Sequence, residues 1–188
     1  MKAVFFDKDG ALVDHIGGHA NPLRVTLCSG AGAALRLLAR LDYRFFAVSA
    51  EDGIAHGHIA EDAMGPVAHR LGDLLFREQL TLEGFYYCPH HPRGAVMQLA
   101  VECVCRRPQP GLLLKAASEH EIDLRSSWMI GASLHDVEAG NRAGCRTLLI
   151  DNGSETEWRL GPRRVPTRIV PDLYAAALMI ASEGETRR

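Results

Sequence analysis

Asp7 and Asp9 stand one residue apart in FFDKDGALV, directly after an apolar run and directly before a glycine. One carboxylate of such a pair can attack a phosphoryl group while the other passes a proton to the leaving oxygen. A phosphate within their reach needs neutralising donors, and Ser49 offers a hydroxyl and Arg107 a cation. Asp and Gly are also favoured turn formers, so an Asp-x-Asp-Gly loop taken alone reads equally well as a simple turn.

A second set of residues points to a metal. Cys88-x-His90 and Cys103-x-Cys105, twelve residues apart, supply three thiolates and one imidazole, the donors of a closed tetrahedral zinc site. A closed site shapes a loop and does not activate water. His91 competes with His90 for the fourth position. Cys28 and Cys145 lie outside this grouping and read as small core residues.

These residues need elements to carry them. KAVFF (2–6), YRFFAVS (43–49), FYYC (85–88), WMIG (128–131) and RTLLID (146–151) are strand-like runs, most of them apolar throughout, as in a parallel sheet covered on both faces. Between them, residues 30–41, 60–80, 110–122 and 135–144 repeat apolar side chains at helical spacing, with Gly144 placed to stop the last helix. Gly65 and Pro66 predict a kink or split in the second. After a loop rich in Gly, Pro and charge come RIV (168–170) and a final helix from about 171 to 182. Ligands of such a sheet bind at the carboxyl ends of the strands near a topological switch point, which gathers Asp7, Asp9, Ser49 and the loop after Gly131 around one crevice.

The composition bounds the function. A chain of 188 residues reads as one domain, 1–188, and a formal charge of −2 gives no footprint for nucleic acid or an anionic membrane. No apolar run reaches the length of a membrane span and the N-terminus lacks a cleavable signal pattern, so a cytoplasmic location is expected. An odd number of cysteines in a reducing compartment favours metal over disulfides.

FFDKDGALV, AVSAEDGIAHG, CRRPQPG and MIGASLHDVEAGNRAG resemble, in order, the four motifs of the haloacid dehalogenase superfamily. CPHHPRGAVMQLAVECVC is similar to the cysteine–histidine segment of its heptose bisphosphate phosphatases, with histidinol phosphatases as near relatives. The resemblance runs from Lys2 to about Asp151. It implies a Rossmann-like α/β fold, a parallel sheet flanked by helices, with a zinc-binding loop. With no large insertion after the first motif, a big cap domain is not expected, and short loops such as HIGGHANPLR (15–24) would shape the crevice.

The resemblance also implies roles. Asp7 would be the nucleophile that forms an aspartyl-phosphate, and Asp9 the general acid and base. Mg²⁺ would be held by the Asp7 carboxylate, the Asp9 backbone carbonyl and an aspartate directly after the last motif's glycine. Here that position is Ala132, which leaves Asp136 as the remaining carboxylate. Zn²⁺ would be held by Cys88, His90, Cys103 and Cys105, the likeness favouring His90 over His91. Ser49, Arg107 and Arg106 would bind phosphate.

Further departures fall in the same crevice. Ala11 replaces a threonine, SAEDG replaces TNQSG and so brings in Ala50, Glu51 and Asp52, His56 replaces an arginine, and Arg107 replaces a lysine. The expected activity is Mg²⁺-dependent hydrolysis of a small, heptose bisphosphate-like sugar phosphate. The alternative is a catalytically impaired relative retained as a binding or assembly module.

Overall fold

The computed structural model describes residues 1–14 and 20–186; residues 15–19 of the HIGGHANPLR loop fall outside the described residues. The apolar runs form six strands: β1 (Lys2–Asp7), β2 (Tyr43–Ala50), β3 (Leu82–Cys88), β4 (Trp128–Gly131), β5 (Arg146–Ile150) and β6 (Arg168–Val170). They make one sheet in the order β3-β2-β1-β4-β5-β6, and every pairing is parallel. The helices are α1 (Ala31–Ala39), α2 (Asp52–Ala55), α3 (Met64–Arg77), α4 (Gly111–His120), α5 (Leu134–Ala143) and α6 (Leu173–Thr186).

Alternate side chains of a strand face opposite sides of the sheet, so an apolar run in β1 feeds two cores at once. Val4 and Phe6 pack with Leu35 and Leu38 of α1, Leu71 and Leu75 of α3 and Ile180 of α6. Ala3 and Phe5 pack on the other side with Phe46, Met129 and, from α4, Leu112 and Leu113. Each large side chain buried this way contributes about 1.5–3 kcal/mol relative to leaving it in water. The central strands are thereby rigid platforms for whatever their carboxyl ends carry.

The expected split falls just ahead of Gly65 and Pro66, and one local expectation is corrected. Residues 61–63 form a separate 3-10 turn and α3 begins at Met64, so Pro66 sits in the first turn, where the missing N–H goes unused. β3 starts at Leu82, ahead of the expected Phe85: it is an edge strand, and its first residues are recruited by pairing with β2 rather than by an apolar run of their own.

The chain leaves β1 for β2 and β3 on one side and returns to β4, β5 and β6 on the other. The switch point therefore lies between the carboxyl ends of β1 and β4. Asp7 ends β1, and Gly131 ends β4 just before Ala132 and Ser133.

Candidate active site and metal cluster

The loop after β1 is fixed by its own backbone. Leu12 N–H donates to the Asp7 carbonyl (3.1 Å), Val13 N–H to that of Lys8 (2.9 Å) and Gly10 N–H to that of Val13 (2.8 Å). Gly10 has φ +86°, left-handed backbone that suits glycine, and a Cβ there would press on Ala132 at 3.3 Å. The turn keeps Asp7 at 7% exposure while presenting Asp9 beside it.

Asp7, Asp9, Ser49, Ala50, Arg107, Ala132, Ser133 and Ser154 line one crevice of about 360 Å³. Arg107 Nη1 lies 2.8 Å from Asp7 Oδ1 and also bonds Asp136. Asp136 is fully buried at the start of α5, its Oδ2 accepting from the Ser133 N–H (3.0 Å) and hydroxyl (2.8 Å). A Cβ at Gly131 would collide with this side chain at 2.2 Å, so glycine is what lets Asp136 fold under the strand end. Asp136 thus caps the helix and orients Arg107 with the same carboxylate.

Lys8, only 3% exposed, joins Asp9 Oδ2 (3.0 Å) to Glu51 Oε1 (2.9 Å), and Glu51 accepts the Ser49 hydroxyl at 2.7 Å. Asp52 holds Arg106 through both carboxylate oxygens, the Nη2–Oδ2 contact being 2.9 Å. Of the expected phosphate ligands, Ser49 and Arg107 reach the crevice, and Arg106 is turned towards Asp52. Lys8 and Ser154 were not singled out from the sequence. Lys8 looked like the spacer of the Asp-x-Asp motif, although a lysine between two acids is itself a signal for a buried pair. Ser154 arrives from an irregular loop whose path the sequence pattern does not fix.

The crevice carries Asp7, Asp9, Glu51 and Asp136 against Lys8 and Arg107, an excess of negative charge. Asp9 Oδ1 is buried with no hydrogen-bond donor and Arg107 Nε without an acceptor, while Asp7 Oδ1 meets only the Arg107 guanidinium, as an ion pair outside hydrogen-bond geometry. Burial pushes the Asp7 carboxyl above the usual range, and the Arg107 guanidinium only partly opposes this. An unpartnered Asp9 oxygen beside the Asp7 carboxylate, in a pocket with excess negative charge, fits a small hard cation, which needs only one or two carboxylates and keeps several waters. At the position where the resemblance implies a further oxygen donor, Ala132 offers a methyl group.

Cys88, His90, Cys103 and Cys105 converge so that one ligand atom from each lies within 4.8 Å of the others. The sulfurs are 3.0–3.5 Å apart, and His90 Nδ1 is 3.6 Å from Cys88 Sγ and 3.4 Å from Cys105 Sγ. Zn–S bonds of about 2.3 Å in a tetrahedron put sulfurs roughly 3.8 Å apart, so the cluster needs little movement to close on an ion. His91 is excluded from it, its Nδ1 accepting from the Arg93 N–H at 3.1 Å. The remaining thiols behave as core groups: Cys145 is buried, and Cys28 packs half-buried against the apolar core.

The cluster also positions the crevice. Cys88 ends β3, and its carbonyl accepts the Glu51 N–H at 2.9 Å. Arg106 N–H donates to Cys103 Sγ at 3.3 Å, and Arg107 follows directly. Holding the cysteines therefore holds the segment that delivers Arg107 to Asp7.

Comparison with known proteins agrees with this construction. The HAD-hydrolase-like family profile matches residues 104–176. The D-glycero-beta-D-manno-heptose-1,7-bisphosphate 7-phosphatase of Salmonella typhi is 33% identical over 152 residues, 80% of each chain. That of Pasteurella multocida is 35% identical over 155 residues, 81% of this chain and 83% of its own. Among solved structures, a putative HAD-like phosphatase from Mesorhizobium loti superposes with a TM-score of 0.80 at 27% identity, covering 96% of this chain and 87% of that one. The D,D-heptose 1,7-bisphosphate phosphatase of B. bronchiseptica, solved with magnesium and phosphate, shares the fold with a TM-score of 0.78 at 23% identity, over 97% and 99% of the two chains.

A parallel sheet with a carboxylate pair at its switch point and relatives of this kind define a phosphoric monoester hydrolase. The chain belongs to the haloacid dehalogenase superfamily, in the family of the heptose bisphosphate phosphatases it matches.

Proposed function

We propose that the chain hydrolyses a phosphate monoester of a small sugar, heptose bisphosphate-like, through an aspartyl-phosphate on Asp7. The observation that carries this reading is the convergence of Asp7, Asp9, Ser49 and Arg107 on one crevice at the switch point. Asp7 attacks phosphorus, the phosphorus–oxygen bond to the sugar breaks, and Asp9 gives its proton to the departing alkoxide. Water then attacks the acyl phosphate, Asp9 takes its proton, and phosphate leaves with Asp7 regenerated. Arg107 orients the nucleophile and offsets charge on the phosphoryl oxygens.

Asp7 and Asp9 would hold Mg²⁺, which when bound offsets the charge of Asp7 and of the incoming phosphate. Asp136 joins them only by exchanging its contact with Arg107. Cys88, His90, Cys103 and Cys105 would hold Zn²⁺ as a structural ion. A cavity of about 880 Å³ flanked by Arg24, Asp52, His56 and His58 offers room for the rest of the sugar. No helix among the described residues is long and apolar enough to cross a membrane, and a cytoplasmic single domain fits this activity.

The competing reading, a relative that binds without turnover, draws on one observation: Glu51 already occupies both the Ser49 hydroxyl and Lys8. Phosphate release from a panel of sugar phosphates with Mg²⁺ separates the two. Turnover above the Asp7→Asn background supports hydrolysis, and none from any ester by folded protein supports the binding module.

A further inference from the structure

A second concave site lies away from the catalytic crevice and shares no lining residue with it. Glu138 and Arg142 of α5 and residues 159–164 of the loop between β5 and β6 enclose a groove of about 430 Å³. That volume lies within the range of small-molecule sites, roughly 300–1,000 Å³. Its lining carries Arg142, Arg159, Arg163 and Arg164 against the single carboxylate of Glu138.

The groove is built rather than merely basic. Glu138, 8% exposed, accepts Arg142 Nε (2.9 Å) and Nη2 (2.6 Å) on one oxygen and Arg164 Nε (2.7 Å) on the other. These guanidiniums depress the Glu138 carboxyl despite its burial, so it stays charged and keeps both arginines in place. Asn141 Nδ2 donates to the carbonyls of Arg163 (2.9 Å) and Val165 (3.0 Å), fastening the loop to α5. Glu155 accepts the Leu134 N–H at 2.7 Å and fastens it again at the other end of the helix. A guanidinium has five N–H donors, and Glu138 takes only part of those on Arg142 and Arg164. Among the described residues Arg159 pairs only with Glu157, at 3.5 Å and exposed.

We propose that this groove binds a small phosphate-bearing molecule, held by the outward donors of Arg142 and Arg164 and by Arg159 and Arg163 from the loop. Planar guanidinium forks match phosphate oxygens two at a time. Leu160 and Pro162 add an apolar wall, so an organic phosphate fits better than a bare ion. The site is independent of the hydrolytic reading, since none of its residues contacts Asp7 or Asp9.

Inorganic pyrophosphate titrated into the zinc-loaded protein by calorimetry, without Mg²⁺, tests it. One pyrophosphate per chain bound in the groove is expected. The Arg159→Ala/Arg163→Ala double variant changes only exposed loop side chains, so the fold should survive; it should weaken that site about tenfold or more and leave phosphatase activity alone. Glu138→Gln, which loosens both anchored arginines, should weaken the same site. Arg107→Ala, which alters the crevice, should leave binding in the groove unchanged. A single pyrophosphate per chain lost entirely in Arg107→Ala, or binding unmoved by the loop double variant, overturns the proposal.

Discussion

The cysteine–histidine cluster and the catalytic crevice are neighbours that follow opposite logics. In the cluster all four donors are present and converge within bonding reach of one ion. In the crevice the carboxylate pair Asp7 and Asp9 is present, but Ala132 stands where an oxygen donor is expected and Glu51 adds a carboxylate against Lys8 and Ser49. A tetrahedral ion loses most of its hold with any one ligand, whereas Mg²⁺ accepts water in place of a missing carboxylate. The scaffold therefore tolerates less change than the chemistry it supports. The Glu51 N–H bond to the Cys88 carbonyl and the Arg106 N–H bond to Cys103 Sγ link the two directly.

The sharpest way to break this comparison is to damage the cluster. Cys103→Ser should cost zinc, cooperative folding of residues 88–105 and solubility together, because metal binding of this kind is folding free energy, with apparent values of about 10–16 kcal/mol in small zinc domains. Metal content and thermal unfolding check it; full stability without zinc would contradict it. Asp9→Asn comes next. It should slow turnover by about 10²–10⁴-fold, with zinc content and melting temperature near those of the parent.

Ala132→Asp should have a smaller effect, roughly a tenfold gain in Mg²⁺ affinity, by restoring a hard oxygen donor. Calorimetry with Mg²⁺ checks it, and unchanged affinity would mean that the methyl group is not what limits the site. The smallest effect is on stability. The folded-state pKa of Asp7 is raised, so the folded protein holds that proton more tightly than the unfolded chain. Its penalty is absent below about pH 3.8 and grows as pH rises towards the folded-state value. Asp7→Asn should accordingly melt above the parent at pH 7 without Mg²⁺, and the gap should close towards pH 4.

The sequence pattern carried much of this arrangement. Nearly continuous apolar runs marked the central strands β1, β2, β4 and β5 because both faces of that sheet are covered, and paired spacing marked the four cluster ligands. The edge strand β3 was read short because partner pairing, not its own residues, extends it. The ion pairs were illegible for a similar reason. Lys8 to Glu51, Arg106 to Asp52 and Arg107 to Asp136 each join segments far apart in the chain, and side-chain choice among several acids depends on loop geometry. Asp136 was legible as the remaining carboxylate of the last motif, and its tasks of capping α5 and aiming Arg107 emerge in three dimensions.

The central claim is that this altered crevice still transfers a phosphoryl group to Asp7. Phosphate release from heptose bisphosphate and a panel of sugar phosphates, measured side by side for the parent and Asp7→Asn with equal zinc content and Mg²⁺ present, tests it most directly. The account predicts release by the parent and none above background by Asp7→Asn. Equal release by both proteins, or none by a folded and zinc-loaded parent, would contradict it.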